Sequence, residues 1–295
     1  MKDTVESLRR KIESTKDLES VVRTMKALAA SSIIQYENAV GSLNFYYRTV
    51  ELGLALSFRR AKEIPTQENL NKKKPETSAI IVFGSDLGLV GQFNEVLVEF
   101  TKNFIGTLSG EKNIWAVGER INSRLADIGL FSSHLFSVPT SVNNITSLVR
   151  QILTKIETTY EENEISRFYI FHNRPIVGAV YEPKIQCLMP LDEVWHRELI
   201  KIQWPTKCLP GIIDKNETTH MALIREYLFV SLFRTCAESL ESENASRLAA
   251  MQRAEKNIEE LLEDLNLTFH QFSQSTIDEE LFDVISGSEA LVKSE

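Results

Sequence analysis

The residues best placed for chemistry are the glycines of the loop "GSDLGLVGQFN", Gly84, Gly88 and Gly91, which follow an apolar run and precede a helical pattern. A glycine-rich turn between a strand and a helix lets backbone N–H groups approach a phosphate, which would suit a nucleotide-dependent enzyme. The spacing argues otherwise: it matches neither the dinucleotide fingerprint nor a P-loop, and no lysine follows to reach the phosphates. What remains is a structural turn or a loop that meets a partner. The five histidines, His134, His172, His196, His220 and His270, are scattered without metal-ligand spacing and are expected to be satisfied or exposed. The three cysteines, Cys187, Cys208 and Cys236, are odd in number and are read as free, buried thiols. No nucleophile, base and orienting group assemble, so no catalytic residue, cofactor or metal site is expected.

Composition bounds the partners. The 295 residues carry a net charge of −8, which argues against nucleic acid, and 43% are hydrophobic, enough for one or two cores. The charge is uneven: residues 1–62 sum to +4, residues 211–295 to −10 and the middle to −2. No apolar run approaches the roughly 18 residues of a membrane span, and "MKDTVESLRRKIES" has charges where a signal peptide needs an apolar core, so the chain is read as cytosolic.

All eight prolines fall between Pro65 and Pro210, which leaves both flanks free to form long helices. In the first flank Val5, Leu8, Ile12, Thr15, Val22, Met25 and Ala29, then Ile33, Tyr36, Val40, Leu43, Tyr47, Val50 and Leu54, follow four-three spacing with one interruption. In the last flank Val230, Phe233, Ala237 and Leu240 begin a similar stripe that resumes as Ile258, Leu262, Leu265, Phe269 and Phe272. A helix from about 212 to 285 would be on the order of 110 Å long, too long for a compact domain, so the two stripes are expected to bury each other.

The middle changes pattern. Strands are expected at 78–85, 113–118, 166–173 and 179–190, with helices near 92–107 and 119–128 and a capped helix in "SVNNITSLVRQILTKIETTYEE". The fold class is therefore an α/β domain inserted between two long N- and C-terminal helices that form an antiparallel coiled coil. Its parts are 1–62, the N-terminal helix; 63–210, the α/β domain with linkers; and 211–295, the C-terminal helix and tip.

Two small-residue runs, "MKALAASS" from Met25 and "ESENASRLAAMQRAEKN" from Glu241, suggest a close-packed waist. Met25, Ala27, Ala29 and Ala30 would face Ala245, Ala249, Ala250 and Met251, with partner numbers summing to about 275, so that Leu54 meets Met221 and residues 275–295 project alone.

With these elements in place, the chain resembles the gamma subunit of F-type rotary ATP synthases over nearly its full length. The resemblance rests on "RTMKALAASS", on "SDLGLVGQFN", similar to that family's Asp-Arg-Gly-Leu-Cys-Gly-Gly-Phe-Asn loop, and on the ending from "ENASRLAAMQRAEKN" to "IDEELFDVISGSEAL". It implies a central-stalk shaft, itself not an enzyme, within a ring of alternating alpha and beta subunits. It also implies contacts with an epsilon subunit and the membrane c-ring, and a peripheral position on the cytoplasmic face of the cell membrane. The implied partner contacts are Lys26, Asp86, Leu89, Asn94, Glu243, Asn244, Arg247, Asp278, Glu279 and Glu280.

The departures are specific. "SIIQYE" (32–37) replaces the family's basic cluster, Leu87, Val90 and Gln92 replace Arg, Cys and Gly, and Ser273, Asp278 and Glu279 stand where Arg, Thr and Gln are usual. They suggest a divergent branch serving an alternative ATPase; a coiled-coil scaffold or inhibitory paralogue that no longer couples is the other reading.

Overall fold

The computed structural model describes residues 4–60, 77–162, 165–176, 179–190, 199, 201–208 and 216–292. The expected domain boundaries at 62/63 and 210/211, the linker "EIPTQENLNKKKPE" and His196 lie outside them. Among these described residues ten elements follow in order: α1 (Val5–Arg60), β1 (Ser78–Phe83), α2 (Phe93–Ile105), β2 (Lys112–Val117), α3 (Glu119–Asp127), β3 (Ser132–Phe136), α4 (Val142–Glu161), β4 (Arg167–Ile176), β5 (Ala179–Met189) and α5 (Asn216–Val292). A long N-terminal helix, a central α/β sheet and a long C-terminal helix are thus present. The residues group into two compact units, one of Met1–Leu28 with Leu248–Glu295 and one of Ala29–Arg247.

In the larger unit the sheet runs β3-β2-β1-β4-β5, parallel except for β5, which pairs antiparallel with β4. β1 reads "SAIIVF" and is buried throughout, as a central strand covered on both faces must be. Alternation splits the sheet between two cores: Ala79, Ile81, Phe83, Trp115, Val117, Phe168 and Ile170 face one way, and Ile80, Val82, Ile114, Ala116 and Phe171 the other. α2 and α3 cover the second face. The first is covered by α4, whose Ile145, Leu148, Val149, Ile152 and Ile156 recur at helical spacing, and by the Ala29–Arg60 and Asn216–Arg247 stretches of the long helices.

Those two stretches touch directly. Tyr46 Oη donates to Glu226 Oε1 at 2.6 Å, the Tyr47 and Tyr227 rings lie 5.8 Å apart, and Ser57 Oγ is 2.9 Å from His220 Nδ1. A Cβ on Gly53 would lie 3.0 Å from Leu223 Cδ2, while Met221, expected opposite Leu54, is exposed.

Several expectations need correction. β3 has no counterpart in the sequence reading, because an edge strand of five residues that alternates between half-buried and exposed carries little pattern. Ser141 stands at the N-cap of α4 with extended backbone, yet its side chain makes no capping bond. Cys187 and Cys208 are exposed, and only Cys236 is buried.

Candidate functional site

β1 is the turning point of the sheet, since β2 lies on one side of it and β4 on the other. In doubly wound sheets, ligands bind in the crevice beyond the strand ends at such a point. Here β1 leads into the 84–94 loop, whose sequence folds back on the sheet. Gly84 is required by proximity: a Cβ there would lie 2.2 Å from Ile121 Cβ. Gly118, at φ 118°, lets the start of α3 approach Ser85, whose carbonyl oxygen would be 2.6 Å from a Cβ. Asp86 ties the loop down: its Oδ1 accepts from Glu119 N–H at 2.9 Å and its Oδ2 from Val138 N–H at 3.0 Å. The carboxylate thereby sits at the N-terminus of α3, whose own N-cap, Gly118, has no side chain to offer. Asn94 closes the loop from inside, accepting from Ser85 N–H at 3.1 Å and donating to Ser85 Oγ at 2.8 Å. Leu87 and Leu89 remain at the surface, 71% and 62% exposed, with Leu89 at φ 61°.

The crevice itself is filled by α5. Ser239 Oγ donates to Phe83 O at 3.2 Å and Ser246 Oγ to Val90 O at 2.6 Å, so the helix takes the carbonyls at the two ends of the turn. A nucleotide would need this same space, and the enzyme reading of the glycine loop therefore falls. Nearby, His172 on β4 lies 3.0 Å from Glu238 through Nε2, and Arg234 Nε donates to the other carboxylate oxygen at 2.7 Å. Burial alone would raise the Glu238 carboxyl, but hydrogen bonds from His172 and Arg234 outweigh it and hold the group at about 2. Burial lowers His172 below its usual value, and its Nδ1 is buried without a partner, which suits a neutral ring that donates from Nε2. One turn beyond Ser239, Glu243 Oε1 accepts from Arg247 Nη2 at 2.5 Å, and Arg247 Nη1 donates to Asn244 Oδ1 at 3.1 Å. Burial pushes Glu243 up, with Arg247 opposing it.

In the smaller unit Val22, Met251 and Ile258 form a narrow buried core, flanked by Met25, Ala250, Ala254 and Leu262. Glu255 joins Lys26 Nζ at 2.5 Å and Arg23 Nε at 3.2 Å, and these two partners, Lys26 first, hold its carboxyl below the ordinary range. Further along α5, Ile277, Leu281, Phe282 and Val284 are all exposed.

The expected waist residues divide. Met25, Ala250 and Met251 come together in the smaller unit, Ala29 is buried, and Ala30, Ala245 and Ala249 are half-buried. Ala27 is exposed, because it lies off the stripe that Val22, Met25 and Ala29 define. Of the expected partner contacts, Leu89, Asp278 and Glu279 are exposed and Asp86 is half-buried; Glu280 shares the helix of the last two. Asn94, Glu243 and Asn244 are corrected to internal roles, at 1%, 6% and 8% exposure, with Arg247 turned inward on Glu243 and Lys26 joined to Glu255. Sequence reasoning missed Ser239 and Glu238, while His172 is satisfied through Glu238, one of the two outcomes expected of the histidines. The available signal was a second line of small polar residues on α5, Ser231, Thr235, Ser239, Ser242 and Ser246, with nearly the same spacing as the apolar stripe.

Among the described residues no helix is long and apolar enough to cross a membrane, and no cluster of His, Cys, Asp and Glu is suited to a metal ion. The chain is 25% identical to the ATP synthase gamma chain of Ruminiclostridium cellulolyticum, over 99% of this chain and 100% of that one. It is 23% identical to the ATP synthase gamma chain of Syntrophus aciditrophicus, over 98% and 99%. Among solved structures it resembles a chain of the Euglena gracilis mitochondrial ATP synthase in rotational state 3, with a TM-score of 0.65 at 17% identity, covering 97% of this chain and 94% of that chain. A chain from the same organism's ATP synthase rotor in rotational state 1 gives a TM-score of 0.57 at 17% identity, covering 92% and 98%. A family model described as ATP synthase matches residues 4–291, and with nearly its whole length so matched the chain belongs to that family.

Proposed function

We propose that the chain is the gamma subunit of a rotary ATP synthase, the central shaft that couples ion flow through a membrane rotor to ATP synthesis or hydrolysis in neighbouring subunits. Its parts are an N-terminal helix (1–62), an α/β domain with linkers (63–210) and a C-terminal helix with its tip (211–295). The two helices form an antiparallel coiled coil, a reading supported by the opposite sense of the Tyr46–Glu226 and Ser57–His220 contacts along them. Two helices sharing one seam resist unwinding under torque better than one.

One observation carries this function: full-length kinship with gamma chains is joined to an α5 of 77 residues whose last turns leave Ile277, Leu281, Phe282 and Val284 exposed. Apolar side chains left so at a helix end call for a surrounding partner, here the ring of alpha and beta subunits. The contacts at Asp278, Glu279 and Glu280 go with that ring, and of the close-packed waist Met25 joins Ala250 and Met251. Leu87 and Leu89 of the 84–94 loop offer a second apolar contact, toward the epsilon subunit or c-ring. The chain takes no part in the chemistry and is held peripherally at the cytoplasmic face of the membrane by the complex. It serves an alternative ATPase, in keeping with "SIIQYE" where a basic cluster is usual.

The test is native mass spectrometry of particles that co-purify with the tagged chain from gently solubilised membranes, with an ATPase assay on the same material. Catalytic and c-ring subunits in one active particle are expected. Recovery of the chain alone, or in an inactive particle, would overturn the coupling role in favour of a scaffold or inhibitory paralogue.

A further inference from the structure

Among the described residues β3 is an edge of the sheet with no strand beyond it, and what borders it is unlike the rest of this acidic chain. β3 and α4 enclose a groove whose titratable lining residues are His134, Arg150 and Lys155, with no carboxylate among those that line it. Thr154 and Ser147 add hydroxyls. Neither the Arg150 nor the Lys155 side chain forms a hydrogen bond or ion pair among the described residues, and Lys155 lies close enough to His134 to help lower its pKa, after burial. The backbone of the edge is available too. The Phe136 carbonyl accepts from Gly118 N–H at 2.8 Å, toward β2, so its neighbour Leu135 turns its own N–H and C=O to the open side. Side chains alternate in step: Phe136 packs into the core beneath α4, and Leu135 points to the opposite face, 48% exposed.

From this geometry we infer that the β3 edge takes an extended acidic segment of a partner protein as a sixth strand. Its carboxylates meet Arg150 and Lys155 on the α4 face, and apolar residues between them cover Leu135 on the other. Strand addition draws affinity from backbone hydrogen bonds and selectivity from alternate side chains, and this edge supplies both. Acidic and apolar residues must therefore alternate in the partner segment. A lipid surface or a nucleic acid has no peptide backbone to pair with Leu135, so neither can extend the sheet.

The proposed strand addition does not depend on the rotary role and is tested on the purified full chain. The probe is a fluorescein-labelled peptide of alternating valine and glutamate, followed by anisotropy and by hydrogen exchange. Binding with slowed exchange across Ser132–Phe136 is expected. In Arg150→Glu/Lys155→Glu the dissociation constant should rise at least about tenfold, since two charge-assisted contacts become repulsive. The milder Arg150→Gln/Lys155→Gln should weaken binding in the same direction, which guards against a misfolded variant. Leu135→Pro removes only the outward donor and should abolish the exchange protection. Absence of binding, binding that leaves β3 exchange unchanged, or equal binding by the charge-reversed chain would overturn the proposal. So would phosphatidylserine vesicles or a single-stranded oligonucleotide held at Arg150 and Lys155 in preference to the peptide.

Discussion

Ser246 Oγ donates to the Val90 carbonyl at 2.6 Å, and through this bond a helix residue in the last third of the chain closes a turn formed in the first. Both residues are buried, so Ser246→Ala leaves the Val90 carbonyl without that donor. The expected cost is about 1 to 2 kcal/mol in urea unfolding, with the helix content of the folded chain unchanged.

Two glycines of the same loop separate crowding from mere flexibility. Gly84→Ala forces a Cβ onto Ile121 and should cost about 3 kcal/mol or prevent folding. Gly88 has nothing within 4 Å of such a Cβ, and Gly88→Ala should stay within about 0.5 kcal/mol of the parent. Thermal unfolding of the two variants side by side checks the pair.

Glu238 sets the response to acid. Its folded carboxyl titrates at about 2 against an ordinary 4.5, so it stabilises the chain above pH 4.5 and that contribution is lost as pH falls toward 2. His172, lowered from 6.5 by burial, acts in the same direction, since the unfolded ring takes up a proton first below that pH. Glu238→Gln should lower stability at pH 7 by about 2 kcal/mol and flatten the profile between pH 4.5 and 2, read from urea unfolding across that range.

Glu241, three residues further along α5, has the opposite sign. Burial first, then the charges of Glu37 and Glu238, push its carboxyl up to about 7 from an ordinary 4.5. The folded chain therefore keeps a proton there that the unfolded chain releases, and stability falls as pH rises from 4.5 through about 7. Glu241→Gln should match the parent near pH 5 and exceed it at pH 8 by about 1 kcal/mol, a figure reduced for solvent screening of a half-exposed group. Denaturant unfolding at the two pH values checks the sign.

Much of the fold is legible in the sequence because periodicity survives in long helices. Leu8, Ile12, Val22, Ala29, Tyr36, Val50 and Leu54, all on the four-three stripe of α1, are buried. β1 and β2 are legible as short apolar runs, which central parallel strands require. The candidate site is less so. Small residues on α5 suit a neighbouring helix and a neighbouring loop equally well, and nothing in "ENASRLAA" says that Ser246 will find a carbonyl of the 84–94 turn. Asn94 and Glu243 look like surface residues by type, since only the tertiary structure supplies Ser85 to one and buries the other beside Arg247.

The two serines that hold the end of β1 and its turn stand seven residues apart on α5, hence two turns apart on one side of it. Apolar contact would let a helix slide or roll by small amounts, whereas a hydrogen bond weakens steeply once its angle is lost. Turning α5 about its own axis against the sheet must break both bonds together. The joint thus behaves as a key in a keyway: it holds one angular setting, and it yields by a step if it yields at all.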